Sequence, residues 1–244
     1  MCTVTFIPKS HNRFILTSNR DESPLRNTIH PMAYNIHGVD LVFPKDKVAG
    51  GTWFGLNAKQ RTICLLNGGF SEHKREAVYR MSRGTVVTDL LASEDILVAI
   101  DTYNFKGIEP FTLIVVDWSI ELALYELVWD GSILHYAEKP LAPKIWSSSS
   151  LYSDEIKKKR ESWFSEFIFK NRNPSEDSLL EFHKTAGEGS IESDLIIDRG
   201  FVKTKSISQL SRSKLFTFRC EDLQNDAVYN MEVLDNGMLK KKAT

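Results

Sequence analysis

The order of strand-like and helix-like segments constrains the fold of this chain more than any other feature of its sequence. Segments with strand character are grouped into blocks, and segments with apolar residues at helical spacing separate the blocks. Strands and helices do not alternate one by one, as they would in a parallel sheet with crossover helices. This order predicts an α+β fold of mainly antiparallel sheets with helices packed outside, as one domain over residues 1–244. The predicted strands are 2–7, 13–17, 40–44, 52–57, 61–67, 111–118, 121–128, 132–137 and segments within 206–234, and the predicted helices are 72–93, 93–103, 153–170 and 174–186.

The segments between and within these elements carry predictions of their own. Residues 22–40 are predicted to be loop, because two prolines and a glycine punctuate them. Ser93 and Ser175 are predicted to be N-caps, each directly before a helical pattern. The basic run at 157–160 lies within an amphipathic helix and is predicted to be a solvated face.

Composition argues against several classes of function. The chain has 31 Lys and Arg against 32 Asp and Glu, so no basic excess favours a nucleic-acid partner. The longest apolar runs are too short to span a membrane, and the start of the chain lacks the pattern of a secretory signal. The six histidines and three cysteines show no metal-ligand spacing, and AGGTWFG lacks the Lys-Ser/Thr of a phosphate-binding loop, so no metal or cofactor is expected. Three scattered cysteines fit a reducing compartment, which predicts a cytoplasmic protein. The sequence makes no prediction of the oligomeric state.

Cys2 directly follows the initiator methionine, and this position gives it chemistry that a cysteine inside a chain lacks. Methionine aminopeptidase generally removes Met1 when the second residue is small, which leaves Cys2 with a free α-amine beside its thiol. An α-amine with a pKa of ~7.7–8.0 accepts a proton near neutral pH, and a neighbouring base activates a thiol. One residue then supplies both nucleophile and base. The alternative is a small buried cysteine in a strand.

The second predicted strand is followed by the polar residues Asn19, Arg20, Asp21 and Glu22. A hairpin that begins at Cys2 brings the end of this strand back near the start of the chain. Asp21 or Glu22 is then placed to hold an ammonium group. Arg20 is placed to pair with the carboxylates or with a developing negative charge, and Asn19 and Glu22 are candidate substrate contacts. The alternative is a solvated turn.

A third segment, FGLNAKQRTICLLNGGF, holds two asparagines ten residues apart. Asn67 is a candidate donor to an oxyanion, because glycines follow it and let a substrate approach the backbone. Asn57 and the preceding Trp53 are candidate substrate contacts. The alternative is a pair of turn asparagines beside glycines.

The segments MCTVTF, SNRDE and GGTWFGLN resemble the NRDE family, also called the transport-and-Golgi-organisation 2 family. The resemblance is strongest in the first 70 residues. That family is similar in turn to the cysteine N-terminal-nucleophile (Ntn) hydrolases of the penicillin V acylase and bile salt hydrolase group. The resemblance implies a four-layer αββα sandwich. It also implies that Cys2 is the nucleophile, that Asp21 orients its amine and that Asn67 belongs to the oxyanion hole.

The sequence departs from the hydrolase pattern at two places. The arginine of the hydrolase motif matches the position of Ser18, so Arg20 is adjacent to it rather than equivalent. A second asparagine of the hydrolases is matched by Ser148 in WSSSSLY, whose hydroxyl is a shorter donor. Arg20 and Ser148 remain candidate catalytic residues. Arg212 in SQLSRSK is the candidate match for a C-terminal arginine and a candidate substrate contact.

Three functions are compatible with this resemblance, and a small molecule is the expected substrate or ligand in the first two. The first is an amidohydrolase that cleaves a non-peptide C–N bond of a small acylated amine or amino acid, through Cys2 exposed by removal of Met1. The second is a non-catalytic ligand-binding or trafficking protein on the same fold, which takes haem or an acyl lipid. The third is the same fold with its catalytic chemistry lost, which the departure at Ser148 permits.

Overall fold

A computed structural model describes residues 3–213 and 216–234 as two stacked β-sheets with helices packed on the outer faces. Every strand pair within the two sheets of this part of the chain is antiparallel. The predicted α+β class and its αββα layering are therefore confirmed.

The first sheet has β1 near one edge, with the start of the chain entering between two other strands. Thr3, the first described residue, pairs with Ser147 on one side and with Asn19 on the other. In spatial order the sheet contains β10 (Lys144–Ser147), β1 (Thr3–Pro8), β2 (Phe14–Glu22), β11 (Lys203–Arg212), β12 (Phe216–Asp222) and β13 (Ala227–Glu232), numbered along the chain.

The second sheet is a meander in which each strand pairs with the next along the chain. Its strands are β3 (Thr28–Ile36), β4 (Val39–Asp46), β5 (Phe54–Asn57), β6 (Arg61–Asn67), β7 (Phe111–Asp117), β8 (Ala123–Trp129) and β9 (Leu134–Lys139).

Two helix pairs cover the outer faces, each beginning at a side-chain cap. Helix α1 (Arg83–Ala92) packs on β4, β5 and β6, and α2 (Ile96–Thr102) contacts α1. Helix α3 (Asp154–Lys170) packs on β10, and α4 (Glu176–Thr185) packs on β2 and β11. The N-caps, whose side chains accept from backbone N–H groups of the first turn, are Ser82, Asp95, Ser153 and Ser175.

The main core lies between the two sheets. Phe218 of the first sheet stacks on Phe54 of the second, with ring centres 5.5 Å apart. The alternation of β1 follows from this core, because Val4 and Phe6 are fully buried in it. Thr5 on the opposite face contacts α4 through His183.

The glycine pair of AGGTW lets α1 approach the second sheet closely. A Cβ at Gly51 would lie 2.3 Å from the backbone carbon of Gly84, inside any permitted contact distance. The amide of Thr52 donates to the carbonyl of Gly84 at 3.1 Å. A side chain at Gly51 would push the first turn of α1 away from the corner that precedes β5.

The prediction of loop over residues 22–40 is wrong, because β2 extends to Glu22 and β3 and the start of β4 follow. Strand β3 is an edge strand whose single buried residue, Pro31, lies where the register with β4 shifts. Proline is tolerated at such an edge irregularity, so its presence did not exclude a strand. Strand β10 was not predicted either.

The predicted helix over 72–93 is wrong in its first half. Residues 72–82 are not helical, and most of 71–80 is exposed, so this segment has no face to pack against the sheet. The helix begins at Arg83. Ser93 is the C-cap of α1 rather than the N-cap of the next helix, whose first turn is capped by Asp95. Ser175 caps α4 as predicted.

Among the described residues, no helix has the length and apolar character needed to cross a membrane.

Candidate active site

Four of the predicted site residues, Arg20, Glu22, Trp53 and Asn67, line one cleft at the ends of β2 and β6. The cleft has a volume of about 60 Å³ and lies where the first turn of α1 meets the corner before β5. Other charged residues in its wall are Arg26, Asp46 and Arg83.

Arg20 is buried in this cleft against charged and aromatic partners, with 2% of its surface exposed. Its Nη2 donates to Asp46 at 3.0 Å and lies 4.0 Å from a carboxylate oxygen of Glu22. Its guanidinium carbon lies 4.2 Å from the centre of the Trp53 ring, a cation–π contact. Burial lowers the pKa of Arg20, and the carboxylates of Glu22 and Asp46 oppose that shift. A guanidinium stays protonated under such perturbation, so Arg20 is a fixed positive charge.

Asp46 holds this corner of the cleft together. It accepts from Arg20, from Nε of Arg26 at 2.6 Å and from the backbone N–H of Ala49 at 2.9 Å. Burial acts to raise the pKa of Asp46, but the N–H of Ala49 and the guanidinium of Arg26 outweigh it and lower the pKa. Asp46 is therefore an anion that neutralises part of the arginine charge.

Asp21 follows Arg20 in β2 and points to the opposite face of the sheet, where it is 1% exposed. The hydroxyl of Tyr152 donates to its Oδ2 at 2.6 Å, and the hydroxyl of Thr204 donates to its Oδ1 at 2.6 Å. These two bonds fix the orientation of the carboxylate. A carboxylate has about four acceptor positions, so Asp21 has capacity for further donors.

Asn67 is the last residue of β6, and the loop after β10 holds its backbone. Ser148 Oγ donates to the carbonyl oxygen of Asn67 at 2.6 Å. Gly68 has a φ of +86°, and a Cβ there would lie 2.9 Å from the amide nitrogen of Ser150, so glycine permits the two loops to meet. Within residues 3–213 and 216–234, the side-chain amide of Asn67 makes no hydrogen bond and so has its donors available at the cleft. The hydroxyl proton of Ser148 is already engaged.

Cys2 lies outside the described residues. The described start of β1 nevertheless fixes where the chain enters this region, because Thr3 is paired between Asn19 and Ser147. These neighbours directly precede Arg20 and Ser148 in the sequence. Strand β1 therefore begins beside the cleft.

Three other predicted site residues make contacts away from this cleft. Asn19 lies on the helix-covered face, where its Nδ2 donates to the carbonyl of Leu195 at 2.7 Å and its Oδ1 contacts Nδ1 of His183 at 2.7 Å. Arg212 pairs with Phe14 at the opposite end of β2 from the cleft, and its Nη1 donates to the carbonyl of Asn12 at 2.6 Å.

Asn57 lies at the turn end of the β5–β6 hairpin, whereas Asn67 lies at the other end of β6. Its Nδ2 donates to the carbonyl of Leu91 in α1 at 2.5 Å, and its Oδ1 accepts from the backbone N–H of Arg61 at 2.9 Å. Six residues of strand separate the two asparagines, roughly 20 Å, so the structure does not bring them together.

Arg160 was not predicted to contribute to the site, and the prediction of a solvated face for residues 157–160 is wrong for this residue. Arg160 is fully buried. Its Nη1 donates to Thr3 Oγ1 at 2.6 Å, and its guanidinium carbon lies 3.6 Å from the centre of the Tyr152 ring. It therefore connects the start of β1 to the residue that orients Asp21.

No local signal in the sequence identifies Tyr152 or Thr204 as partners of Asp21, because they lie 131 and 183 residues away along the chain. Arg83 and Asp46 were not predicted either. The glycine pair of AGGTW is the sequence signal for Arg83, because glycine there permits close packing of the first turn of α1, which contains Arg83.

Two larger clefts lie beside the loops that hold Asn67, with volumes of about 470 and 250 Å³. They share Ser149 and Lys157 in their walls. Their apolar lining residues include Phe70, Val128, Trp146, Leu151 and Phe201. These surfaces offer room for an apolar group beside the loops that hold Asn67.

Comparison with solved structures finds proteins of similar fold. The structure is similar to conjugated bile acid hydrolase from Clostridium perfringens, with a TM-score of 0.60, 10% identity and coverage of 95% of this chain and 92% of that one. It is similar to the N-acylethanolamine-hydrolyzing acid amidase orthologue of Caenorhabditis elegans, with a TM-score of 0.61, 13% identity and coverage of 86% and 92%. It is also similar to penicillin V acylase from Agrobacterium tumefaciens, with a TM-score of 0.56, 11% identity and coverage of 97% and 88%.

At such identities these similarities establish the fold alone, which is that of the Ntn hydrolases. No curated protein matches the sequence significantly. The profile of the family described as Transport and Golgi organisation 2 matches residues 1–212. The chain therefore belongs to the Transport and Golgi organisation 2 family, as its MCTVTF, SNRDE and GGTWFGLN segments predicted.

Proposed function

We propose that this protein is an Ntn-type amidohydrolase that cleaves the C–N bond of a small N-acylated amine or amino acid. The observation that carries the proposal is the available amide of Asn67 in a cleft beside the start of β1. A donor held by backbone contacts and without a partner of its own is what stabilisation of a developing oxyanion requires.

The proposed reaction has two steps. The thiol of Cys2 attacks the amide carbonyl while the α-amine of Cys2 accepts the thiol proton. The tetrahedral intermediate collapses, the C–N bond breaks, and the ammonium returns the proton to the leaving amine. Water then attacks the thioester, releasing the carboxylic acid and restoring the thiol.

The described residues have separate roles in this proposal. Asn67 donates to the oxyanion, and Asp21, oriented by Tyr152 and Thr204, holds the amine of Cys2 in position. Ser148 acts through Asn67, because its hydroxyl donates to the carbonyl of that residue rather than toward the cleft. The clefts with apolar lining beside the loop are the proposed site of the acyl group.

The first test is the intact mass of the purified protein after brief, mild iodoacetamide treatment. Loss of Met1 with fast single labelling at Cys2 is the expected result. Cys64 and Cys220 serve as internal controls, because burial raises the pKa of their thiols to about 12 and about 11. A thiol with such a pKa forms little of the reactive thiolate near neutral pH.

The second part of the test is hydrolysis of a panel of N-acyl amides by the mature protein. Cys2→Ala is expected to abolish turnover, and Cys220→Ala, at a buried thiol outside the cleft, is expected to retain it. Retained Met1 with an unreactive Cys2, or no turnover across the panel, would contradict the mechanism. Ligand binding without catalysis would then be the better explanation of the cleft.

A further inference from the structure

The wall of the small cleft contains two buried hydrogen-bond donors that no described residue satisfies. They are Nη1 of Arg20 and Nε1 of Trp53. The two residues are 2% and 3% exposed, and both line the cleft. Buried donors are nearly always paired in folded proteins, because a donor without a partner loses its hydrogen bonds to water and gains none in return.

These donors lie close together, since the guanidinium of Arg20 stacks over the ring of Trp53 at 4.2 Å. Neither group can accept a hydrogen bond through nitrogen, so a ligand that satisfies both must present acceptors. Two adjacent donors, one of them charged, suit the two oxygens of an anion.

The charges around the cleft indicate how much negative charge such a ligand carries. Among the described residues, the ion pairs share four guanidinium groups among three carboxylates, which leaves one positive charge uncompensated. The members of this cluster are Arg20, Arg26, Arg75, Arg83, Glu22, Asp46 and Glu109.

The size of the cleft and the charge around it favour a carboxylate as the ligand. The cleft is small, with a volume of about 60 Å³, so it suits a compact polar group rather than an acyl chain. A carboxylate is such a group, and its single negative charge matches the charge that the ion pairs leave uncompensated. A phosphate dianion carries one negative charge more.

On the basis of the proposed function, we propose that this cleft binds the carboxylate of the substrate's amine half, with Nη1 of Arg20 and Nε1 of Trp53 as its donors. The substrate class is then the N-acyl amino acids rather than amides of neutral amines. The acyl carbonyl lies at Asn67, and the carboxylate lies on the Arg20 side of the same cleft.

The test compares two ligands that differ only in this charge, N-octanoylglycine and N-octanoylglycinamide. Binding is measured by calorimetry on the Cys2→Ala protein, which cannot form the thioester. We expect N-octanoylglycine to bind at least about tenfold more tightly, the typical effect of a charge-assisted hydrogen bond. Equal affinities, or no saturable binding of either ligand, would overturn the inference.

Substitutions at the two donors, made in the same Cys2→Ala background, locate the effect. Trp53→Phe keeps an aromatic side chain beside Arg20 and removes the N–H, so it should weaken binding of N-octanoylglycine several-fold and binding of N-octanoylglycinamide less. Trp163→Phe, in the outer layer on α3, is the matched control and should change neither. Arg20→Lys should reduce the preference further. Because Arg20 belongs to a buried ion pair, Trp53→Phe provides the test that leaves this pair intact.

Two further measurements separate this inference from the proposed function. Charge-selective binding to Cys2→Ala without hydrolysis of either amide by the mature protein would reject the proposed function and keep the inference. Hydrolysis of both amides with the same kcat/KM, together with equal binding, would support the proposed function and reject the inference. Tighter binding of N-octanoylphosphoethanolamine than of N-octanoylglycine would show a phosphate site and overturn the carboxylate assignment.

Discussion

At the scale of single residues, the contacts of a side-chain amide determine whether it is structural or available for chemistry. Asn57 has both ends of its amide bonded, to the carbonyl of Leu91 and to backbone N–H groups of Lys59 and Arg61. Asn67 has its backbone held by Ser148, and its amide makes no hydrogen bond within the described part of the chain. The first amide ties α1 to the second sheet, and the second is available to a substrate.

This difference predicts that replacing asparagine with alanine lowers catalysis at position 67 and stability at position 57. Asn67→Ala should lower kcat for an N-acyl substrate by about 10²–10³-fold, the usual cost of one oxyanion donor, with little change in KM. Its thermal stability should change little, because the side chain gives up no hydrogen bond to a described residue. Steady-state kinetics and thermal unfolding measure the two quantities.

Asn57→Ala is the matched control. It should cost about 1–3 kcal/mol in the free energy of unfolding, because the backbone groups that the amide satisfies remain buried without it. Its kcat per folded molecule should be unchanged. An Asn67→Ala protein with full kcat would remove Asn67 from the mechanism.

At the scale of elements, α4 is joined to the first sheet through a buried histidine. His183 is fully buried and hydrogen-bonded to Thr5 and Asn19. Since Oδ1 of Asn19 can only accept, Nδ1 of His183 carries the proton, and its Nε2 accepts from the hydroxyl of Thr5. Burial, with a contribution from the positive charge of Arg160, lowers the pKa of His183 to about 3. The histidine is therefore neutral in the folded protein over most of the acidic range.

The depressed pKa predicts a loss of stability in acid. Below a pH of about 6.5 the unfolded chain binds a proton at His183 that the folded protein does not bind until pH is about 3. The free energy of unfolding should therefore fall as pH decreases through this window. The contribution of this one group is up to about 1.4 kcal/mol per pH unit.

Comparison with His183→Gln isolates that contribution, because glutamine does not titrate. Urea unfolding at several pH values should show a steeper acid loss for the unmodified protein than for the variant. Equal slopes for the two proteins would contradict a neutral buried histidine at the α4 interface.

The elements that sequence alone predicted best are those whose pattern is decided by burial. The alternation of β1 and the apolar run of β6 reflect faces that the core covers, so their positions were predicted closely. Strand β3 has a single buried residue, so no buried face imposes such an alternation on its sequence. Residues 72–82 have helical spacing but no surface to cover, and spacing without burial does not make a helix.

Some residues of the candidate site were likewise predicted from local sequence patterns, and others were not. Arg20 and Glu22 were predicted together because they follow the second predicted strand of a hairpin that begins at Cys2, and the structure places them within β2. Asn67 was predicted because glycines follow it. Tyr152 and Thr204 reach Asp21 only through the packing of the segments before α3 and in β11. Contacts across such sequence distances depend on tertiary structure, which a local pattern does not encode.

At the scale of the whole molecule, both sheets and one outer helix supply residues to the cleft beside the start of β1. Strand β1 starts between β10 and β2, and the loop after β10 holds the end of β6 through Ser148 and Gly68. The first turn of α1 closes the other side at Gly51. The two sheets and one outer helix thus contribute to a single cleft, although few of its residues are close in sequence.

In the proposed mechanism, the function of the whole site depends on whether the α-amine of Cys2 is free. If the amine of Cys2 is the base, a peptide bond at that nitrogen removes the base without altering any other side chain. We therefore expect a protein with the extra residues Met-Lys before Cys2 to lose hydrolysis, because aminopeptidase does not expose Cys2 when lysine follows methionine. Its thermal unfolding midpoint should stay close to that of the mature protein.

The matched control carries a cleavable leader that a protease removes directly before Cys2. Turnover of N-octanoylglycine should be absent before cleavage and should appear in proportion to the fraction of chains whose mass shows an exposed Cys2. The same leader on Cys2→Ala should give no turnover at either stage. If the extended protein hydrolyses the amide as fast as the cleaved one, the amine is not the base, and the thiol must be activated by another group of the cleft.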